Sequence, residues 1–149
     1  MLFPYATRDD MVDAFTLDEM VELTNLSDPD VNTINGDTLD QALREAADEM
    51  DAYLAARHSL EQVHAIAPVP NNLVRLNCDI ARYRLDNNTT RETVLQRYKD
   101  AIAFLRDVAQ GKLNLNLGDS QPEPPRDRPA YQAPKPVFTR DNLSDYGSF

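Results

Sequence analysis

The stretch TLDQALREAADEMDAYL, residues 38–54, decides the fold. Its apolar residues recur every three or four positions, which places them on one face of an α-helix. The order Thr38-Leu39-Asp40-Gln41 predicts a capping box at its start. Small alanines on the apolar face favour close approach of a second helix. The apolar face consists of Leu39, Ala42, Leu43, Ala46, Ala47, Met50, Tyr53 and Leu54.

Two short helices are predicted before this stretch. Thr7 with Asp10, and Thr16 with Glu19, each place a carboxylate three residues after a hydroxyl, as at a helix start. Two starts so close together indicate a corner between two helices. A polar loop, residues 25–37, leads from the second to the third helix. The apolar positions of the first two helices are Met11, Val12, Phe15, Leu17, Met20, Val21 and Leu23.

A fourth helix is predicted after an irregular segment, residues 58–70, that closes with Pro68-Val69-Pro70. Asn71 or Asn72 is expected to cap this helix, which runs to about Leu85. Its predicted buried positions are Leu73, Leu76 or Asn77, Ile80, and Tyr83 or Arg84.

A fifth helix is predicted from a capping box of Thr89 with Glu92, and Gly111 is suited to its C-terminal end. Its apolar positions are Val94, Leu95, Tyr98, Ile102, Leu105, Val108 and Ala109. The sequence therefore predicts an all-α domain, a bundle of about five helices, over residues 1–118.

Residues 119–149 form a second predicted unit, an extended or disordered Pro-rich tail. Proline lacks a backbone donor and is excluded from helix interiors, so the six prolines between positions 121 and 136 favour extended chain. The aromatic and aliphatic residues near and beyond them are atypical of an idle tail. We predict that the tail binds a protein partner through Tyr131, Val137, Phe138, Arg140, Leu143, Tyr146 and Phe149.

Charge is unevenly distributed along the chain, whose net charge is −10. Residues 1–60 contain fourteen acidic and three basic side chains, whereas residues 61–118 contain six acidic and eight basic ones. Two interpretations remain open: a solvated acidic face, or contact between the acidic half of one copy and the basic half of the next. So acidic a chain is not expected to hold duplex DNA.

No residue pattern indicates catalysis, a cofactor or a metal site. His58 and His64 are six positions apart, which does not align two ligands on a helix, and they are interpreted as surface or loop residues. Cys78 is the single cysteine and is predicted to be a buried, inert thiol. Residues 28–32, Asp-Pro-Asp-Val-Asn, begin like a calcium loop but lack its later glycine and glutamate, so a turn is favoured.

A run of basic residues in the last two helices has two interpretations, a phosphate-binding surface or ion pairing. It has no set of aromatic partners, and ion pairing is favoured, either within helices or between subunits. The run consists of Arg82, Arg84, Arg91, Arg97, Lys99 and Arg106.

The N-terminus, Met1-Leu2-Phe3-Pro4-Tyr5, lacks the features of a signal peptide, and no apolar run is long enough to span a bilayer. The protein is therefore expected to be made and folded in a reducing cytoplasm, without membrane contact.

Three stretches of the helical domain resemble a family of small Mu-like phage and prophage proteins. The first is Tyr5-Ala6-Thr7 with Asp10, Phe15 and Glu19-Met20. The second contains Ala46, Glu49-Met50-Asp51, Tyr53-Leu54 and Arg57, followed by Pro68-Val69-Pro70. The third joins residues 79–85, DIARYRL, to Arg97-Tyr98, Asp100-Ala101-Ile102, Leu105 and Gly111-Lys112. Residues 138–143 at the end of the tail resemble the same family.

That family is similar to the head-to-tail connector, or adaptor, proteins of tailed phages. The resemblance implies a structural subunit of the virion neck, without enzymatic activity, that assembles under the portal protein as a homo-oligomeric, dodecameric ring. It further implies a downstream stopper or tail protein as a partner, and DNA that passes through the ring without specific binding. The alternative is a small phage or bacterial regulatory module that binds another protein through its C-terminal tail.

Overall fold

The computed structural model describes residues 4–86 and 91–115. Within these residues the secondary structure consists of helices, without strands, which confirms the all-α prediction. The tail, residues 119–149, lies outside the described residues. The helices are α1 (Arg8–Phe15), α2 (Leu17–Thr24), α3 (Gly36–Leu54), α4 (Leu60–His64), α5 (Asn71–Leu85) and α6 (Glu92–Ala109).

The corner between α1 and α2 is formed by one residue, Thr16. Its backbone N–H closes α1 by donating to the Val12 carbonyl at 2.9 Å. Its hydroxyl caps α2 by accepting from the Glu19 N–H at 3.4 Å. Thr16 has φ of 97°, a conformation that costs a β-branched residue free energy. The predicted caps at Thr7 and Thr16 are both confirmed.

Helix α3 is the centre of the bundle and packs mainly against α5. Every predicted apolar position of α3 is buried except Tyr53, which is partly buried. The predicted capping box at Thr38 is wrong. Asn35 is the N-cap, and its side chain accepts from the Thr38 N–H at 3.3 Å, because asparagine caps as well as threonine and stands one turn earlier.

Helix α4 occupies part of the segment 58–70 that was predicted to be irregular. It begins after Ser59 and contains five residues, too few for a periodic apolar pattern to be recognised. Val63 is its buried residue, only 4% exposed, and attaches α4 to the core.

Helices α5 and α6 do not begin at the cap residues predicted for them. The N-cap of α5 is Pro70, so Asn71 is already helical. The N-cap of α6 is Arg91 rather than Thr89, which lies outside the described residues. In both places the cap residue has extended backbone and no side-chain bond to the helix.

Burial in α5 departs from the predicted stripe at its C-terminal end. Tyr83 is partly buried and Arg84 is exposed, whereas Arg82 is 1% exposed. Of the predicted positions of α6, Val94, Leu105 and Val108 are buried, and the others are partly buried. Among the described residues, Arg82 is therefore the one charged side chain that is buried in the bundle.

Gly111 closes the C-terminal end of helix α6, as predicted from the sequence. The Gly111 N–H donates to the Val108 carbonyl and the Lys112 N–H to the Asp107 carbonyl, each at 2.9 Å, which is a Schellman motif. Gly111 has φ of 74°, and the guanidinium of Arg57 lies where a side chain at Gly111 would project. Leu115 then returns to the core and is 1% exposed.

Candidate functional site

The tail residues predicted to bind a partner lie outside the described residues. These are Tyr131, Val137, Phe138, Arg140, Leu143, Tyr146 and Phe149. The candidate sites that the structure describes are therefore polar clusters and grooves on the helical domain.

Arg82 forms the most buried polar cluster. Its Nε and Nη2 donate to one oxygen of Glu19, at 3.0 and 2.7 Å, which joins α5 to α2. Arg82 Nη1 lies 3.5 Å from Asp86 Oδ2, close enough for an ion pair, but has no hydrogen-bond partner among the described residues. Arg91, at the start of α6, lies 3.6 Å from the same Glu19 oxygen. Glu19 therefore holds two arginines from different parts of the chain.

A second cluster joins α3, α5 and α6 through Glu49. One carboxylate oxygen accepts from Arg84 at 2.7 Å, and the other accepts from the Tyr98 hydroxyl at 2.8 Å. Tyr98 also stacks on Tyr83, with ring centroids 4.0 Å apart and planes 12° from parallel. Burial, with the bond to Glu49, raises the pKa of Tyr98 to about 12. The hydroxyl therefore remains a donor at any physiological pH.

A third cluster attaches the N-terminal segment and α4 to α3. Asp51 accepts a hydrogen bond from the Tyr5 hydroxyl, and its Oδ1 lies 3.0 Å from His64 Nε2. The rings of Tyr5 and His64 meet edge to face at 5.5 Å between centroids. Burial, and then the Asp51 bond, raises the pKa of Tyr5. His64 is exposed, as predicted for a surface or loop residue, and in addition bridges to Asp51 and Tyr5.

Arg8 joins α1 to α3 through a two-pronged contact with Asp40. The distances are 2.5 Å from Nε to Oδ1 and 2.6 Å from Nη2 to Oδ2. The contact lowers the pKa of the Asp40 carboxyl. Because both groups are near water, it orients α1 more than it stabilises the fold.

The basic run of the last two helices pairs largely inside the chain. Arg82 and Arg91 approach Glu19, Arg84 bonds to Glu49, and Arg97 lies 3.7 Å from Asp79. These contacts confirm ion pairing, mostly between helices of one chain, and the pair of Arg82 with Asp86 four positions later is of the predicted local kind. The two halves of opposite charge therefore neutralise each other partly within the fold, a third outcome beside the two interpretations of the charge distribution.

A pocket of about 290 Å³, here named the arginine pocket, opens where α1, α2, α5 and α6 meet. The Arg97 guanidinium stands over the Phe15 ring at 5.9 Å from its centroid, which is a cation–π contact. Burial raises the pKa of the Asp79 carboxyl, against the opposing effects of Arg97 and Arg75. The pocket is lined by Phe15, Glu19, Asp79, Arg82, Arg91 and Arg97, together with Thr93 and Val94.

An apolar groove lies on the other side of α2, along the loop that follows it. It contains the two most exposed large apolar residues of the described chain, Leu17 at 55% and Leu26 at 51%. Val21, Pro29 and Val31 add to its apolar lining, and Asp18 and Glu22 also line it.

Cys78 is buried as predicted, 2% exposed, and burial raises its pKa to about 12. His58 is partly buried, and burial together with the charge of Arg57 lowers its pKa. Residues 28–32 form an exposed turn, with the Val31 N–H donating to the Asp28 carbonyl, and lead to the capped α3. Within residues 4–86 and 91–115, no three His, Cys, Asp or Glu side chains are grouped to hold a metal.

Arg82 is the described residue whose role sequence reasoning missed. It stands four positions after Cys78 and three before Leu85, both buried, so the helical spacing placed it on the buried stripe. The predicted stripe ran instead through Tyr83 or Arg84, which lie one and two positions after Arg82. None of the helices in the described part of the chain is long and apolar enough to cross a membrane.

Known proteins resemble this chain over most of its length. The chain is 33% identical over 115 residues to the Mu-like prophage FluMu protein gp36 of Haemophilus influenzae, a match that covers 77% of each protein. It is 29% identical over 138 residues to gene product J of Escherichia phage Mu, covering 91% of this chain and 94% of that protein. The family model described as Bacteriophage Mu, Gp36 matches residues 5–133. The chain is therefore a Mu-like phage protein and belongs to the Bacteriophage Mu Gp36 family.

Proposed function

We propose that this protein is a structural head-to-tail connector subunit of a Mu-like phage. In this proposal several copies, a dodecameric ring, assemble beneath the portal protein and surround the channel through which DNA leaves the head. A downstream stopper or tail protein binds the other side of the ring. The protein acts in the virion neck and performs no catalysis.

The observation that carries the proposal is the family assignment over residues 5–133. It is taken together with the resemblance to adaptor proteins of tailed phages described under the sequence. An adaptor needs a body that keeps its shape when many copies pack around an axis. The inter-helix contacts of Glu19, Glu49 and Asp51 support such a body, since each carboxylate joins separate segments of the chain.

The charge of the chain supports the same proposal. Arg82 and Arg84 of α5 hydrogen-bond to carboxylates of the chain, Arg97 of α6 lies 3.7 Å from Asp79, and the net charge is −10. A ring with an excess of negative charge repels DNA phosphates, so DNA passes without being held.

Assembly is tested by co-expressing the full chain with the portal protein of the same phage and imaging the purified complex by cryo-electron microscopy. We expect a closed ring of this protein on one face of the portal. Since many adaptors are monomeric when free, the portal must be present, and the protein alone is the control. A protein that stays monomeric with an intact portal would refute the proposal.

The tail is tested separately by deleting residues 119–149. If Val137, Phe138 and the other predicted tail residues bind the portal or a neighbouring subunit, the deletion should abolish co-purification with the portal. Circular dichroism of the shortened chain checks that the helical domain remains folded. Undiminished portal binding by the shortened chain would exclude the tail as the docking element. Binding of the tail to a regulatory protein and not to the portal would favour the alternative module.

A further inference from the structure

The arginine pocket contains two exposed guanidinium groups with unused hydrogen-bonding capacity. The side chains of Arg91 and Arg97 are 63% and 61% exposed. Their nearest carboxylate oxygens are 3.6 Å away on Glu19 and 3.7 Å away on Asp79, which is beyond hydrogen-bonding distance. A guanidinium carries five donors in a planar fork, so each of these side chains can still bind an oxyanion.

Two further sets of donors border the same pocket. Arg82 lines it with a side chain that is only 2% exposed, and its Nη1 has no hydrogen-bond partner among the described residues. The 18-residue helix α6 begins at the pocket, and no side chain of the described residues caps it. The first N–H groups of a helix carry partial positive charge and bind anions when no cap occupies them. Thr93, in the first turn, lines the pocket.

The charge balance of the pocket selects the kind of anion. Three arginines and two carboxylates line it, and Asp86 lies 3.5 Å from Arg82 Nη1, so the pocket has donors with little excess charge. A single carboxylate matches the planar fork of Arg91 or Arg97. A phosphate, with close to two negative charges, would be repelled by Glu19 and Asp79 and would overcompensate the pocket. DNA phosphate is disfavoured further by the net charge of the chain.

We propose that the arginine pocket is a binding site for one carboxylate side chain presented by another protein chain. Arg91 and Arg97 hold the carboxylate from the solvent side. The first backbone N–H groups of α6 donate hydrogen bonds to it. Arg82 fixes the position of Glu19 and thereby of Arg91. The site exists on a single chain, so it can be tested without assembling a ring.

The test is a titration of the full chain with a blocked glutamate, N-acetyl-glutamate N-methylamide, followed through the backbone amide resonance of Thr93. Ionic strength is held constant with sodium chloride. Inorganic phosphate and a short DNA duplex are titrated in parallel. The variant is Arg91→Gln with Arg97→Gln. The matched control is Lys99→Gln with Arg106→Gln, which removes the same charge from exposed positions of the same helix.

We expect a saturable shift of the Thr93 resonance with the blocked glutamate. Loss of both arginines should weaken the apparent affinity about tenfold or more, since each charged hydrogen bond contributes free energy of that order. The control should bind like the unaltered chain. No saturable shift, or an equal loss in the control, would overturn the site. Tighter binding of phosphate or DNA than of the blocked glutamate would overturn the carboxylate assignment. None of these outcomes depends on the connector proposal, which the portal experiment tests alone.

Discussion

Arg82 and Glu19 are unequal partners, because the arginine is buried and the glutamate reaches water. The side chains are 2% and 23% exposed, respectively. Neutralising Glu19 leaves the buried Arg82 cation with only the 3.5 Å contact to Asp86. Neutralising an exposed acid leaves no buried charge without a partner.

We predict that Glu19→Gln lowers the free energy of unfolding by about 3 kcal/mol, the usual cost of removing one partner of a buried ion pair. Urea denaturation followed by circular dichroism measures the change. Glu22→Gln, at an exposed position of the same helix, is the control and should change stability by less than about 0.5 kcal/mol. Equal effects of the two substitutions would show that the Arg82 cluster does not stabilise the fold.

Cys78 provides a second prediction at the residue scale. With a pKa of about 12, roughly one thiol in ten thousand is ionised at pH 8 in the folded protein, and the thiolate is the reactive form. We predict negligible reaction with Ellman's reagent in buffer and rapid reaction in urea. Above pH 9 the unfolded chain loses this proton while the folded chain keeps it, so the free energy of unfolding falls as pH rises. Rapid labelling of the folded protein at pH 8 would contradict this.

Helix caps show where sequence reasoning succeeds at the scale of elements. Thr7 and Thr16 were identified because a hydroxyl and a carboxylate three residues apart occur next to an apolar repeat. Asn35 was missed because Thr38 offered the same pattern one turn later, and local sequence cannot rank two competing caps. Helix α4 was missed because Val63 has too few apolar neighbours to show a period.

The cap of α3 can be tested directly. Asn35→Ala should cost about 1 kcal/mol, because the Thr38 N–H loses its partner. Thr38→Ala is the control and should lower the free energy of unfolding by no more than a few tenths of a kcal/mol. Alanine keeps the backbone N–H at position 38 and favours a helix interior. Thermal unfolding of both variants gives the comparison. A larger loss of stability in Thr38→Ala than in Asn35→Ala would indicate that Thr38 caps the helix after all.

The helical domain as a whole was largely predictable, whereas the way its charges pair was not. The apolar face of α3 could be recognised in the sequence because its repeat extends over several turns. The alanines on that face let α5 pack close. Pairs such as Arg82 with Glu19 join residues 63 positions apart, and nothing in the local sequence specifies them. The arginine pocket forms where four helices meet, so the local sequence does not specify it either.

At this scale we predict that the full chain does not bind duplex DNA at physiological salt. Fluorescence anisotropy with a labelled duplex should remain flat up to protein concentrations of about 100 μM, the upper range of ordinary non-specific binding. A titration at low salt is the companion measurement, since any contact through Arg91 or Arg97 would appear there first. Saturable binding at physiological salt would oppose passage of DNA without retention.

Thr16 sets a limit on how this protein can change in length. One residue both ends α1 and begins α2, so an inserted residue would change the direction in which α2 leaves α1. Glu19 would then swing away from Arg82 and Arg91, and a buried cation would lose its partner. Among related phage proteins, insertions and deletions should therefore accumulate in the loop of residues 25–35 and be absent at Thr16.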